Sequence, residues 1–112
     1  MNVKIYFLIL TILIIYFVKY CNTFDTNPYL VVYYANWCGH CKNFFLKTWP
    51  NLKKELDNKN IKYKLINGDI NKIVAEKDGI LGYPTILKKT KKKTYQFKGN
   101  RNVNSILSFL FD

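Results

Sequence analysis

"PYLVVYYANWCGHCK", residues 28–42, is the stretch on which the reading of the chain turns. Its first half, Pro28 to Asn36, is a run of β-branched and aromatic residues without polar alternation. That pattern predicts a strand buried on both faces. Its second half sets Cys38 and Cys41 around Gly39 and His40. From Cys38 onward, apolar residues recur at Cys41, Phe45, Trp49, Leu52 and Leu56, one face of a helix that Pro50 is expected to kink.

Cys38 therefore falls where a buried strand turns into a helix. Unsatisfied amide N–H groups and the positive end of the helix dipole gather there, and they favour a thiolate. Cys41 lies three residues on, where the helix brings its side chain back beside the first. The pair suits a nucleophile and a resolving thiol. His40, charged or donating a hydrogen bond, would stabilise the Cys38 thiolate and make the disulfide a better oxidant. Two other readings stand beside this one. A zinc site wants four ligands, and the segment offers only Cys38, Cys41 and His40, so no metal is expected. A permanent staple gains little, because a loop so short barely constrains the unfolded chain.

Further along, "IKYKLING" (61–68) alternates Ile61, Tyr63 and Leu65 with Lys62 and Lys64, a half-exposed strand. A short helix is expected from Asn71 to Asp78, stopped by Gly79. "YPTILKK" (83–89) and "TYQFKG" (94–99) read as a hairpin across "TKKKT" (90–94). Val103, Ile106, Leu107 and Leu110 then mark a last amphipathic helix. The order is β-α-β-α-β-β-α, an α/β layered domain running from Phe24 to Asp112.

Residues 1–23 are of another kind. Ile5 to Val18 is apolar apart from Thr11 and is flanked by Lys4 and Lys19. This is a secretory signal or an uncleaved anchor. Fourteen helical residues span roughly 21 Å, short of the ~30 Å hydrocarbon core, which favours the signal. Snorkelling lysines and the interfacial Tyr6, Tyr16 and Tyr20 keep residues 5–18 open as an anchor. Cys21 and Thr23 are the only small pair at a cleavage offset, and Cys21 is read as inert. Lys19 and Tyr20 exclude a lipoprotein reading of it.

The formal charge of the 112-residue chain is +11, or +9 once Lys4 and Lys19 are set aside. Such a balance favours acidic partners or plain solubility. "KKTKKK" (88–93) is read as a solvated hairpin tip, with an acidic substrate or anionic membrane as the alternative. Nucleic acid is not expected as a partner of an exported domain. The chain lacks an Asn-x-Ser/Thr acceptor and closes on "SFLFD" without an endoplasmic reticulum retrieval signal, so secretion stays open.

"LVVYYANWCGHCK" (30–42) resembles the active-site segment of the thioredoxin superfamily, and Cys-Gly-His-Cys the form found in protein disulfide isomerases. "GYPT" (82–85) is similar to the family's cis-proline segment, and "GNRNVNSILSFL" (99–110) to its closing Gly-x-Arg and last helix. The three matches occur in the family's order and cover almost all of the domain. The resemblance implies a thioredoxin-like fold reduced to a four-stranded core, lacking most of the family's first strand and helix. "IKYKLI" is then left as an edge guarded by Lys62 and Lys64.

By position, the resemblance makes Cys38 the attacking thiol and Cys41 the resolving thiol of a redox-active disulfide. Trp37 becomes the aromatic flank, and Pro84 with Tyr83 the support for an extended substrate chain. Arg101 becomes the arginine that acts on the resolving cysteine. It implies a thiol–disulfide oxidoreductase or isomerase of the endoplasmic reticulum lumen or another secretory compartment. That enzyme acts on cysteine-containing client proteins, needs no cofactor, and is served by a thiol oxidase or reductase partner. A weakly catalytic binding or chaperone module and a thioredoxin-like reductase are the alternatives. Three departures stand out: the missing first strand and helix, a helix proline one turn late with Leu46 in its usual place, and the loss of the buried acid–lysine pair. Val32 is expected at the acid's position and Asn67 at the lysine's.

Overall fold

A computed structural model describes residues 2–24 and 27–112, without the side chains of residues 21–24. The expectations for Cys21 and for cleavage beside Thr23 therefore lie outside the described residues.

The N-terminal helix α1 runs Val3–Phe24, 22 residues, longer than the apolar run itself. At ~1.5 Å per residue it spans about 33 Å, enough for a hydrocarbon core where the run alone is too short. Within it, Val3–Tyr20 is long and apolar enough to cross a membrane, and none of that window is buried against the rest of the protein.

The remaining elements are β1 (Tyr29–Tyr34), α2 (Gly39–Lys47), α3 (Trp49–Asn58), β2 (Tyr63–Asn67), α4 (Lys72–Lys77), β3 (Thr85–Lys89), β4 (Thr94–Gln96) and α5 (Val103–Phe111). They form one four-stranded mixed sheet in the order β2-β1-β3-β4. β1 runs parallel to β2 and antiparallel to β3, and β3 and β4 form the expected hairpin. The β1 side chains alternate between two apolar clusters. Leu30 and Val32 face α2, α3 and α5, whereas Val31 and Tyr33 face Ala75 of α4. Leu52, Leu56, Ile106 and Leu110 seal the first face, and each such burial contributes about 1.5–3 kcal/mol.

The long helix expected after Cys38 is two helices. The break comes at Thr48 rather than Pro50, and Pro50 instead sits in the first turn of α3. Proline lacks an N–H and its ring collides with the carbonyl four residues back, whereas a helix's first turn needs no such bond. The break also turns the buried face, so Phe44 is 2% exposed and Phe45 is only half-buried. On β2 the alternation holds for Tyr63 but fails at Leu65, which is 40% exposed because no helix covers this edge. The other elements match their expected positions, including Gly79 at φ 67° beyond α4.

Candidate active site

The site forms where β1 ends and α2 begins. Cys38 is the N-cap of α2 in extended backbone geometry, and its Sγ accepts a hydrogen bond from the Cys41 N–H at 3.1 Å. The helix start thus directs an amide onto the sulfur, as its place in the sequence predicts. On its other side the Cys38 thiol donates to the Tyr83 carbonyl at 3.4 Å. The Tyr83–Pro84 peptide bond is cis. The two cysteines are not joined to each other, and they pack with Ala35 beneath Tyr34, Phe45 and Tyr83.

Cys38 is more enclosed than an attacking thiol is expected to be, with 4% exposure. The reason is local: Tyr83 lies against the sulfur from the loop opposite. Cys41 lies deeper still, at 2%. Burial, then hydrogen bonding to Cys38, push its thiol up to about 11, while the Ala35 backbone and the positive charge of Arg101 pull the other way. No carboxylate contributes to that balance.

Arg101 lies near enough to the pair for its charge to act on Cys41. It shares a cleft of about 290 Å³ with Leu81, Gly82, Tyr83, Pro84 and Gln96. Its carbonyl accepts a 2.7 Å hydrogen bond from the Thr48 hydroxyl, so the break between α2 and α3 is tied to the loop that carries it. Trp37 is 70% exposed beside the pair. Its indole N–H donates to Asp69 at 2.7 Å, and its ring meets Tyr83 edge-on at 5.9 Å.

Two expectations are corrected. His40 is exposed on the first turn of α2 and makes no hydrogen bond to either cysteine. The hydrogen bond on the Cys38 sulfur comes from the Cys41 N–H alone among the described residues, the helix-start amide already expected there. Asn67 is not opposite Val32 either. The β1–β2 register pairs Val32 with Leu65 and places Asn67 opposite Tyr34. The vanished acid–lysine pair therefore corresponds to Val32 and Leu65, both hydrocarbon.

Asn67 performs a different task. Its side-chain oxygen accepts from the backbone N–H groups of Asp69 and Ile70 at 3.0 and 3.3 Å, holding the turn that presents Asp69 to Trp37. Gly68 lies in the same turn directly under the Tyr83 ring, where any Cβ would collide with the phenol. The sequence reading missed Asp69, Gly68 and Thr48. An Asn-Gly-Asp turn is a visible signal for the first two. Nothing in the sequence marks Thr48.

Comparison with known proteins agrees with this geometry. Residues 16–112 match the family model described as Thioredoxin. The chain belongs to the thioredoxin family. It is 31% identical over 100 residues to protein disulfide-isomerase A6 of Mesocricetus auratus, covering 81% of this chain and 23% of that protein. With the Medicago sativa probable protein disulfide-isomerase A6 it shares 35% identity over 85 residues, 72% of this chain and 23% of that one. It thus spans about a quarter of the length of these relatives. The first thioredoxin domain of mouse protein disulfide-isomerase A4 superposes with a TM-score of 0.68 at 27% identity, over 78% of this chain and 63% of that structure. The relatives and the Cys38–Cys41 pair together support a thiol–disulfide oxidoreductase.

Proposed function

We propose that this protein oxidises or rearranges disulfides in client proteins of the endoplasmic reticulum lumen or another secretory compartment. The observation that carries this reading is the Cys38 sulfur, held between a helix-start amide and the carbonyl preceding Pro84. In the oxidised enzyme, a client thiolate attacks the Cys38 sulfur. The Cys38–Cys41 bond breaks, a client–Cys38 mixed disulfide forms, and Cys41 leaves and takes up a proton. A second client thiolate then attacks the client sulfur of that bond, forming the client disulfide and releasing Cys38 as thiolate. Two electrons have passed to the enzyme, and a thiol oxidase must remove them. Run as an isomerase, the reduced enzyme attacks a client disulfide through Cys38, and Cys41 releases any mixed disulfide that stalls. Trp37, Tyr83 and Pro84 form the surface against which an extended client segment lies.

A redox titration of the Cys38–Cys41 pair tests the reading. The expected potential lies nearer the ~−180 mV of disulfide isomerase than the ~−270 mV of thioredoxin. A value at or below the thioredoxin figure overturns it in favour of a reductase.

The enclosure of Cys38 favours a second reading, a binding module with a slow pair. Alkylation of the reduced protein separates the two. Rapid modification of Cys38 at neutral pH supports catalysis, and an inert pair supports binding alone.

A further inference from the structure

The strand register gathers lysines at one end of the sheet, the end farthest from the cysteines. β1 starts there at Tyr29, paired with Lys89, and the hairpin turn follows with Lys91, Lys92 and Lys93 exposed. The β2 strand, parallel to β1, starts at the same end, and the Lys62 carbonyl accepts from the Leu30 N–H at 3.0 Å. Lys64 reaches back over the Tyr29 ring at 5.6 Å, and Lys93 lies 5.4 Å from the centre of the Tyr95 ring. Ammonium groups here alternate with phenol rings, a composition suited to the boundary between bilayer and water.

Acids balance this end only in part among the described residues. Among the described residues, Glu55 and Asp57 pair with Lys59 and Lys53, and Asp78 pairs with Lys89. Asp69 is engaged by Trp37 at the opposite end. None of them bonds Lys64, Lys92 or Lys93.

This is also the end at which the chain arrives from α1. From Phe24 to Tyr29 there are only five residue steps, which reach at most about 18 Å when fully extended. Within the helix they follow, Val3–Tyr20 is long and apolar enough to cross a membrane, and none of that window packs against the rest of the described protein. A retained α1 therefore holds the start of β1, and the lysines around it, within a short tether of the bilayer surface.

We propose that α1 stays in the membrane and that the lysine end of the sheet rests on anionic lipid headgroups. Lys64, Lys92 and Lys93 make the contact, and Cys38 faces away from the membrane into the compartment. The attraction is electrostatic and acts over a Debye length of ~8 Å, so salt weakens it.

The test uses the full-length chain inserted in vesicles with the domain outward. The bilayer is phosphatidylcholine alone or phosphatidylcholine mixed with phosphatidylserine. Lysine acylation is read residue by residue by mass spectrometry. Lys64, Lys92 and Lys93 are expected to react several-fold more slowly on the mixed vesicles, and high salt to restore their rates. Lys42, beside the cysteines, is expected to react equally on both. Equal labelling of Lys92 and Lys93 on the two bilayers overturns the proposal. So does equal protection on phosphatidylcholine by added polyglutamate or RNA, which makes the tip a general polyanion site. A mature chain from cells that has lost residues 1–23 overturns it as well.

Discussion

The two sides of the cysteine pair are built from different materials. Around Cys38 lie backbone groups, an amide at 3.1 Å and a carbonyl at 3.4 Å, both delivered by the path of the main chain. Around Cys41 lie hydrocarbon and one remote guanidinium. Val32 and Leu65 pair on the strands at the positions of the lost acid and lysine, and burial pushes the thiol up to about 11. The comparison teaches that the attacking half of the site comes with the fold, because any strand-to-helix junction supplies amides. The resolving half depends on side chains, and here those are largely missing.

Deletion of either sulfur breaks the comparison most directly. Cys38→Ser is expected to abolish disulfide exchange. Cys41→Ser is expected to leave attack intact and to trap the Cys38–client mixed disulfide, visible by mass spectrometry as a stoichiometric adduct. Equal loss of attack in both variants sinks the division of labour.

Restoring an ionisable pair under Cys41 is next in size. By the family resemblance, Val32→Glu with Leu65→Lys supplies a general base for the Cys41 thiol, which is typically worth ~10²–10⁴ in rate. Leu65 is accessible enough for a lysine to keep its ammonium at the rim, so the buried carboxylate is not left alone. Decay of a preformed mixed disulfide is the measurement. An unchanged rate in a folded double variant shows that proton removal from Cys41 is not limiting.

The pH dependence sharpens the same point. On the proposed mechanism, Cys41 resolves a preformed mixed disulfide as its thiolate. Decay should accelerate about tenfold per pH unit from neutrality and level off only near pH 11. The raised value also has a thermodynamic sign. The neutral buried thiol contributes stability that is fully present below about pH 9, the ordinary thiol value, and that is lost as pH rises through about 11. A profile that levels off near pH 7 means another group carries the proton.

Smaller effects are expected at Arg101 and then Thr48. Arg101→Ala removes the one side-chain charge that lowers the Cys41 value, so the plateau moves to higher pH and decay at pH 7 slows. Thr48→Val breaks only the hydroxyl bond to the Arg101 carbonyl. Such a bond is worth about 0.5–1.5 kcal/mol, which bounds the slowing at roughly two- to tenfold. Thr48→Ser, which keeps the hydroxyl, should restore the rate. If serine behaves like valine, Thr48 acts through packing and not by positioning Arg101.

Much of the site was legible because its chemistry is local. Cys38, Cys41, Trp37 and the Tyr83–Pro84 peptide bond lie on two short segments whose patterns announce them, and the strand-to-helix junction could be read from residues 28–42 alone. His40 misled because adjacency to a cysteine in sequence does not place its ring against the sulfur. On a helix start the ring points into solvent. Asn67 misled for a related reason: matching residues by position cannot fix a strand register, and a shift of two keeps the same face while changing the partner.

The amino-acid sequence alone carries the succession of strands, the buried central strand, the apolar N-terminal segment and the Cys-x-x-Cys pair at a strand-to-helix junction. These follow from residue type and period along the chain, quantities that no folding step alters. Which strand residues pair as Val32 with Leu65, how far Cys38 is enclosed, and that Thr48 holds the loop carrying Arg101 came only with the folded core. So did the placing of Lys64 of β2 and the β3–β4 hairpin turn at one end of the sheet. Each of these joins segments distant in sequence. Contacts of that kind depend on register and helix placement, which the packing of the whole core settles at once.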